Sequence, residues 1–166
     1  NIADHVIQQR NDSLANYGIL TESPELLNMD AIGDHDWNFY ESFMINGMDY
    51  NPDLDQIVLS VRKINEIVII DHSTTTQEAA GHTGGNAGKG GDILYRWGNP
   101  QNYGRGTEED RVLYFQHNPN WITEGEHAGK IICYNNGLTR PVEFEDLYSS
   151  IPIITPPMDD NGQYLL

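Results

Sequence analysis

From residue 43 onward, short apolar runs alternate with polar turns, a pattern that predicts β-strands. The first runs are Phe43–Tyr50, Gln56–Val61 and Ile67–Ile70, separated by the turn Asn51-Pro52-Asp53 and the polar corner Arg62–Glu66. Short runs bounded by Asn, Pro and Asp are typical of strands joined by tight turns. We therefore predict a three-stranded antiparallel meander here.

Further runs follow at roughly even spacing. They are Ile93–Trp97, Val112–Gln116, Ile131–Tyr134 and Val142–Tyr148. Repeated short strands without long helices between them predict an all-β fold, which leaves a sandwich, a barrel or a propeller open. A chain of 166 residues is expected to form one domain, with residues 1–42 as an entry segment and residues 43–166 as strands.

The glycine-rich stretch His72–Pro100 connects two predicted strands. Thr75 and Glu78 have the spacing of a capping box, which predicts a short helix after Thr75. A phosphate-binding loop is excluded by spacing, because Thr83 stands where the first Gly of that motif belongs and Gly90 replaces its Ser or Thr. The function of the loop stays open at this point.

The net charge of −16 limits the classes of ligand that this chain is expected to bind. It argues against nucleic acid and against anionic membranes as partners, since both need a basic surface. No apolar run approaches the length of a membrane span. Because long-range attraction cannot help an anionic ligand to this chain, such a ligand would need a local cluster of Arg and His.

The sequence gives little support for a metal site, a calcium loop or a reactive cysteine. The six His are dispersed without a metal-binding motif, so no metal site is predicted. The acidic turn Asp49–Asp55 has Leu54 where a calcium loop needs Gly. Cys133 lies in an apolar run without an activating base and is expected to be an inert buried thiol.

Two polar residues at predicted strand ends are better candidates. Arg62 follows the strand Gln56–Val61, where its guanidinium could bind an oxyanion at two points. His117 follows the predicted strand Val112–Gln116 and precedes a turn. Spacing alone favours a structural role for each, because such residues commonly bind nearby backbone.

Several motifs then point to one family. The runs DHSTTT, GKGGD, YRWGNP, QHNPNW and IICYNNG occur in one order, after the opening ADHVIQ, ANYG and SPEL. In this combination the chain resembles the arylsulfotransferases over nearly its whole length. The resemblance implies a six-bladed β-propeller, here an incomplete set of blades, in a periplasmic or exported protein.

The resemblance also implies a reaction. These enzymes transfer sulfate from an aryl sulfate ester to a phenol in a ping-pong mechanism, through a sulfohistidine and without a nucleotide or other cofactor. Matched by motif, His117 is the nucleophile, and Arg62 and Asn46 bind the sulfuryl group. The family's second active-site His falls on Met44, so this chain departs from the pattern there.

The departure at Met44 leaves alternatives. Aligning on Asp36-Trp37 instead places Phe39 at the same position, and His35 could substitute only if it were repositioned. Because Met neither donates a proton nor carries charge, an impaired propeller that binds an anionic or aromatic ligand is one alternative. A structural interaction propeller is another. The donor, the acceptor and the oligomeric state are not specified by the sequence.

Overall fold

The described residues, 44–165 of a computed structural model, form two antiparallel sheets. The first is a four-stranded meander of β1 (Ile45–Asn51), β2 (Gln56–Val61), β3 (Glu66–Asp71) and β4 (Ile93–Trp97). The second contains β5 (His117–Trp121), β6 (Ile131–Tyr134) and β7 (Ile153–Ile154). The all-β class and the first meander are thus confirmed. The predicted entry segment 1–42 lies outside the described residues.

Helical structure is confined to short pieces. A four-residue helix, α1 (Thr76–Ala79), follows β3, and Thr75 and Glu78 form the predicted capping box. Single 3₁₀ turns occupy Arg62–Ile64, Pro100–Tyr103, Glu108–Asp110 and Phe144–Asp146. Among the residues described, no helix is long and apolar enough to cross a bilayer.

One apolar core joins the two sheets. It combines residues of the first meander with residues of β5–β7 and the segment before them: Val58, Ile67, Ile69, Leu94, Tyr95, Leu113, Trp121, Ile131, Cys133 and Ile154. The large aliphatic side chains among them each contribute about 1.5–3 kcal/mol by leaving water. Because both sheets supply this core, it fixes the two meanders side by side.

The prediction of a strand over Val112–Gln116 was wrong. This segment is a connection without a strand ladder: the Val112 N–H donates to the Gly98 carbonyl at 2.8 Å, and side chains bind two N–H groups further along. The Tyr114 N–H donates to Asn135 Oδ1 at 2.8 Å, and the Phe115 N–H donates to Asn65 Oδ1 at 2.8 Å. An apolar run can be buried without a ladder when Asn side chains satisfy its peptide groups.

The prediction of a strand over Val142–Tyr148 was also wrong. That segment contains the 3₁₀ turn Phe144–Asp146, and the Phe144 side chain is 83% exposed. The strand that pairs with β6 is β7, at Ile153–Ile154. In this segment, apolar residues with acidic neighbours are compatible with an exposed turn as well as with a strand.

The glycine-rich loop folds around a carboxylate of its own chain. Asp71, which is buried, accepts from the N–H and Oγ–H of Ser73 at 2.9 and 2.5 Å through Oδ1. Its Oδ2 accepts from the Ala87 N–H at 2.8 Å. The Asp71 carboxylate therefore engages two backbone donors of the loop, those of Ser73 and Ala87.

The edge strands β1 and β5 approach each other closely at Gly47. A Cβ at this position would lie 2.6 Å from the Asn118 backbone nitrogen and 2.8 Å from Pro119 Cδ. Two residues further along β1, Asp49 Oδ2 accepts from the Trp121 N–H at 2.8 Å. Glycine is required here because any side chain would separate the two strands.

We expect Gly47→Ala to destabilise the protein by about 1–3 kcal/mol, since backbone atoms must move to admit the methyl group. Urea denaturation would measure the change. Gly81→Ala is the matched control, because a Cβ there meets its nearest neighbour at an ordinary 3.7 Å. Equal effects of the two substitutions would contradict the close approach.

Candidate active site

The four residues singled out in the sequence lie near the start of β1 and the start of β5. Asn46 Nδ2 is 2.9 Å from His117 Nδ1, although the two residues are 71 positions apart in sequence. The Arg62 N–H donates to the Met44 carbonyl at 3.0 Å. Arg62 acts on His117 electrostatically. The fold therefore brings together residues from three separate stretches of chain.

Arg62 presents a cation beside an aromatic ring. It is the first residue of the 3₁₀ turn Arg62–Ile64, and its Cζ lies 4.2 Å from the centroid of the Phe115 ring. Within residues 44–165, its guanidinium forms no ion pair with a carboxylate. A guanidinium stacked by one face keeps its in-plane N–H groups for an oxyanion.

His117 is held by the buried residue before it. Gln116 Nε2 donates to the Glu66 carbonyl at 2.7 Å and to the Val61 carbonyl at 3.2 Å. These bonds tie the segment to the corner between β2 and β3, where Arg62 lies. His117 begins β5 rather than ending the predicted strand before it. The hydrogen bonds from the Gln116 side chain to these two carbonyls therefore hold His117 next to the end of β2.

Asn46 has both of its amide hydrogens engaged. Its Nδ2 donates to the Gln116 carbonyl at 2.8 Å and lies 2.9 Å from His117 Nδ1. Its Oδ1 is buried and has no hydrogen-bond partner among the described residues. The role of Asn46 as a sulfuryl ligand stays a prediction, and these contacts show an additional bond to the His117 ring.

Two neighbours of His117 were missed in the sequence. Asn136 Nδ2 is 3.5 Å from His117 Nε2, at the outer limit of a hydrogen bond. The Tyr134 ring lies 6.3 Å from the imidazole, and its residue is 44% exposed. Both belong to the run IICYNNG, whose Asn residues after an apolar strand were the available signal.

The environment lowers the pKa of His117. Burial is the larger cause and the positive charge of Arg62 is the second. The imidazole therefore stays neutral below the usual range of His. Neutral imidazole is the form that can act as a nucleophile or a base.

One known protein family matches most of this chain. The family model described as arylsulfotransferase (ASST) matches residues 11–155. The chain belongs to the arylsulfotransferase family. No curated protein and no solved structure gives a significant match. Membership implies an aryl sulfate and a phenol as substrates of the family.

Met44 is the position where the sequence predicted a departure from the motif of this arylsulfotransferase family. It lies directly before β1, is 37% exposed, and contacts Arg62 through its backbone carbonyl. A thioether supplies no proton to a leaving group. His35, the substitute considered from the sequence, lies outside the described residues, as do Asp36, Trp37 and Phe39.

Other titratable groups of the arylsulfotransferase chain are engaged elsewhere. His72 pairs with Asp55 and His82 pairs with Asp92, each at 2.7 Å. Burial raises the pKa of the Cys133 thiol to about 12, so this thiol is not a nucleophile. Within residues 44–165, no cluster of three or more His, Cys, Asp or Glu could hold a metal ion.

Replacing Arg62 with Gln should raise the pKa of His117, because one of the two causes of the lowered value is removed. An NMR titration of the His117 ring would measure the shift. Lys89→Gln removes the same charge near Gln56, at the other end of β2, and should leave the titration unchanged. No shift in the Arg62 variant would contradict the electrostatic contact.

The lowered pKa of His117 also determines how the stability of the protein depends on pH. Folding favours neutral His117, so its contribution to stability is fully present above the unfolded pKa of about 6.5. That contribution is lost as the pH falls through the lower, folded value. The effect is small because the ring is partly exposed.

Proposed function

We propose that this protein is an aryl-sulfate sulfotransferase in which His117 is the transient sulfate carrier. One arrangement supports the proposal: Asn46 contacts the His117 imidazole, and the pKa of His117 is lowered by burial and by the charge of Arg62, a cation that no described carboxylate pairs with. The imidazole supplies a nucleophile and the guanidinium supplies charge for the sulfuryl oxygens. Family membership limits the transferred group to sulfate.

In the first half-reaction, a lone pair on His117 Nε2 attacks sulfur. Asn46 already contacts Nδ1, so Nε2 is the ring nitrogen left for chemistry. An N–S bond forms and the S–O bond to the aryl group breaks, with its electron pair leaving on the phenolate. Arg62 stabilises the charge on the three sulfuryl oxygens as the bonds exchange.

In the second half-reaction, an acceptor phenol replaces the released one. Its oxygen attacks sulfur, the N–S bond breaks, and the electron pair returns to Nε2 while the phenol proton passes to solvent. No nucleotide or other cofactor enters either step. The chemistry of the family implies this ping-pong order, and the second half simply reverses the first.

Trapping the covalent intermediate tests the proposal. Incubated with an aryl sulfate and no acceptor, the protein should release one equivalent of phenol and gain the mass of one SO₃ group on the peptide containing His117. The adduct should disappear when an acceptor phenol is added. Phenol release without an adduct, or an adduct on another His, would overturn the assignment.

The two meanders support a propeller architecture. Each is an antiparallel sheet, and the edge strands β1 and β5 lie against each other with Asn46 and His117 between them. Adjacent blades of a propeller meet in this way around a central channel. We propose that the family's six-bladed propeller contains these sheets as two neighbouring blades, in an exported protein.

A second function is favoured by Met44. Because the family's His is replaced by a thioether in this chain, a propeller that binds an aryl sulfate without turnover is the alternative. The same trapping experiment distinguishes the two: binding without release of phenol would identify this second function. A structural interaction propeller would bind neither substrate.

We expect Met44→His to raise the rate of phenol release, by up to about 10²-fold if protonation of the leaving group is the limiting defect. The fold should tolerate the substitution, because Met44 is partly exposed and its hydrogen bond to Arg62 uses the backbone carbonyl. Met48→His is the control, since Met48 lies within β1, four residues after Met44, and is 60% exposed. An unchanged rate in both variants would contradict a limiting role for position 44.

A further inference from the structure

Asn46 is bonded in a way that decides which nitrogen of His117 carries the proton. Its Nδ2 lies 2.8 Å from the Gln116 carbonyl oxygen and 2.9 Å from His117 Nδ1. A carbonyl oxygen only accepts, so the amide nitrogen must be the group that faces it. The second hydrogen on Nδ2 then points at the imidazole.

The opposite orientation of the amide is disfavoured. It would place Oδ1 against the Gln116 carbonyl oxygen, with two acceptors facing each other at the observed separation. Gln116 itself cannot move away easily, because its side chain is anchored to Glu66 and its carbonyl also accepts from Ser60 Oγ at 3.2 Å. The observed orientation leaves the buried Oδ1 without a partner among residues 44–165.

Given that orientation, His117 Nδ1 must accept. The Asn136 Nδ2 donor faces Nε2 only at 3.5 Å, so the shorter contact of Asn46 with Nδ1, at 2.9 Å, sets the tautomer. A neutral imidazole with an accepting Nδ1 carries its proton on Nε2. A doubly protonated ring would point Nδ1–H at the Nδ2 hydrogens, so the contact also opposes the cationic form. The side chain of Asn46 therefore acts through His117, as a positioning residue.

We infer that Asn46 holds resting His117 as the Nε2–H tautomer, so that Nε2 first meets a substrate as a hydrogen-bond donor. This inference rests on the proposed function for its catalytic meaning. Before Nε2 can attack sulfur, its proton must leave to water and another must enter at Nδ1, with no change in charge. For this exchange Asn46 must turn its Nδ2 away from Nδ1–H, which also costs its bond to the Gln116 carbonyl.

The consequence for mechanism is a change of role at Nε2. In the resting state the Nε2–H group binds a sulfuryl oxygen, together with the Arg62 guanidinium. After the proton moves, the same atom is the nucleophile. Asn46 thus stabilises the resting tautomer and opposes the attacking one.

The tautomer can be measured without any turnover. Long-range proton–nitrogen NMR correlations of the protein, labelled with ¹⁵N in His and held well above the pKa of His117, distinguish the two neutral forms. His117→Gln assigns the signals among the six His. The expected wild-type pattern has a protonated Nε2 and an accepting Nδ1. A protonated Nδ1 in the wild type would overturn the inference.

Two variants test the part played by Asn46. Asn46→Ala should lose the single-tautomer pattern, and Asn46→Asp should place the proton on Nδ1, since a carboxylate only accepts. Asn120→Ala is the matched control, because Asn120 lies on the same strand as His117, β5, and donates to the Asn118 carbonyl instead of a His. Unchanged His117 signals in Asn46→Ala, with the rest of the spectrum folded, would also overturn it.

The outcomes separate this inference from the proposed function. An Nε2–H tautomer with no sulfohistidine in the trapping experiment would reject the sulfotransferase while leaving the role of Asn46 intact. A sulfohistidine on His117 with an unchanged tautomer in Asn46→Ala would reject only the role of Asn46.

Discussion

His117→Ala should lower kcat/KM for aryl sulfate by about 10⁴-fold or more, because the atom that forms the N–S bond is removed. Steady-state release of phenol measures this, and the SO₃ adduct should vanish in the same variant. Stability should change little, since the ring is partly exposed and its bond to Asn46 contributes about 1 kcal/mol. Loss of activity and loss of folding are therefore separable.

His82→Ala is the control for that experiment. His82 is also a His in a hydrogen bond with an Asx side chain, but its side chain is 75% exposed and its partner is Asp92. Its activity should equal that of the wild type. If His117→Ala retained wild-type turnover, or if both variants lost it equally, His117 would not be the sulfate carrier.

The strands of the first meander could be predicted because each is an apolar run between strong turn residues. Gln56–Val61 and Ile93–Trp97 were given with the bounds that the structure has. The strand at His117–Trp121 was missed because its letters are polar and contain Pro119. Proline is tolerated in such a strand at an irregular position, and Asn118 before it has a φ of 49°.

The site was predictable only in part, for a related reason. Motifs indicated that Arg62, Asn46 and His117 belong together, and the fold brings all three to neighbouring positions. The bond between Asn46 and His117 could not be predicted, because it depends on the approach of β1 to β5 at Gly47. Asn136 was missed because a turn Asn is usually explained by the turn alone.

The buried ion pair between Glu66 and Arg96 gives the largest expected effect on stability. Glu66 accepts from Arg96 Nε at 2.6 Å and from Arg96 Nη2 at 2.7 Å, and both side chains are at most 1% exposed. Asn102 Nδ2 also donates to Glu66 at 2.6 Å. Burial raises the pKa of Glu66, although Arg96 and Asn102 oppose that shift.

We expect Glu66→Ala to destabilise the protein by about 3–5 kcal/mol, because it leaves the Arg96 charge buried without its carboxylate. Urea or thermal unfolding would measure the loss. Glu108→Ala removes the partner of Arg111 at 3.2 Å, where the Glu108 side chain is 63% exposed, and should cost less than about 1 kcal/mol. Similar losses in the two variants would contradict a burial-dependent cost.

The double variant Glu66→Leu with Arg96→Met tests the physical reason. If the loss of the Glu66 carboxylate beside the buried Arg96 charge causes most of the destabilisation in Glu66→Ala, removing both charges should leave a more stable protein than removing the carboxylate alone. If instead the hydrogen bonds of Glu66 to Asn102 dominate, the double variant will be no better. Because Gln116 is anchored to the Glu66 carbonyl, which every substitution retains, His117 should keep its place in the more stable variant.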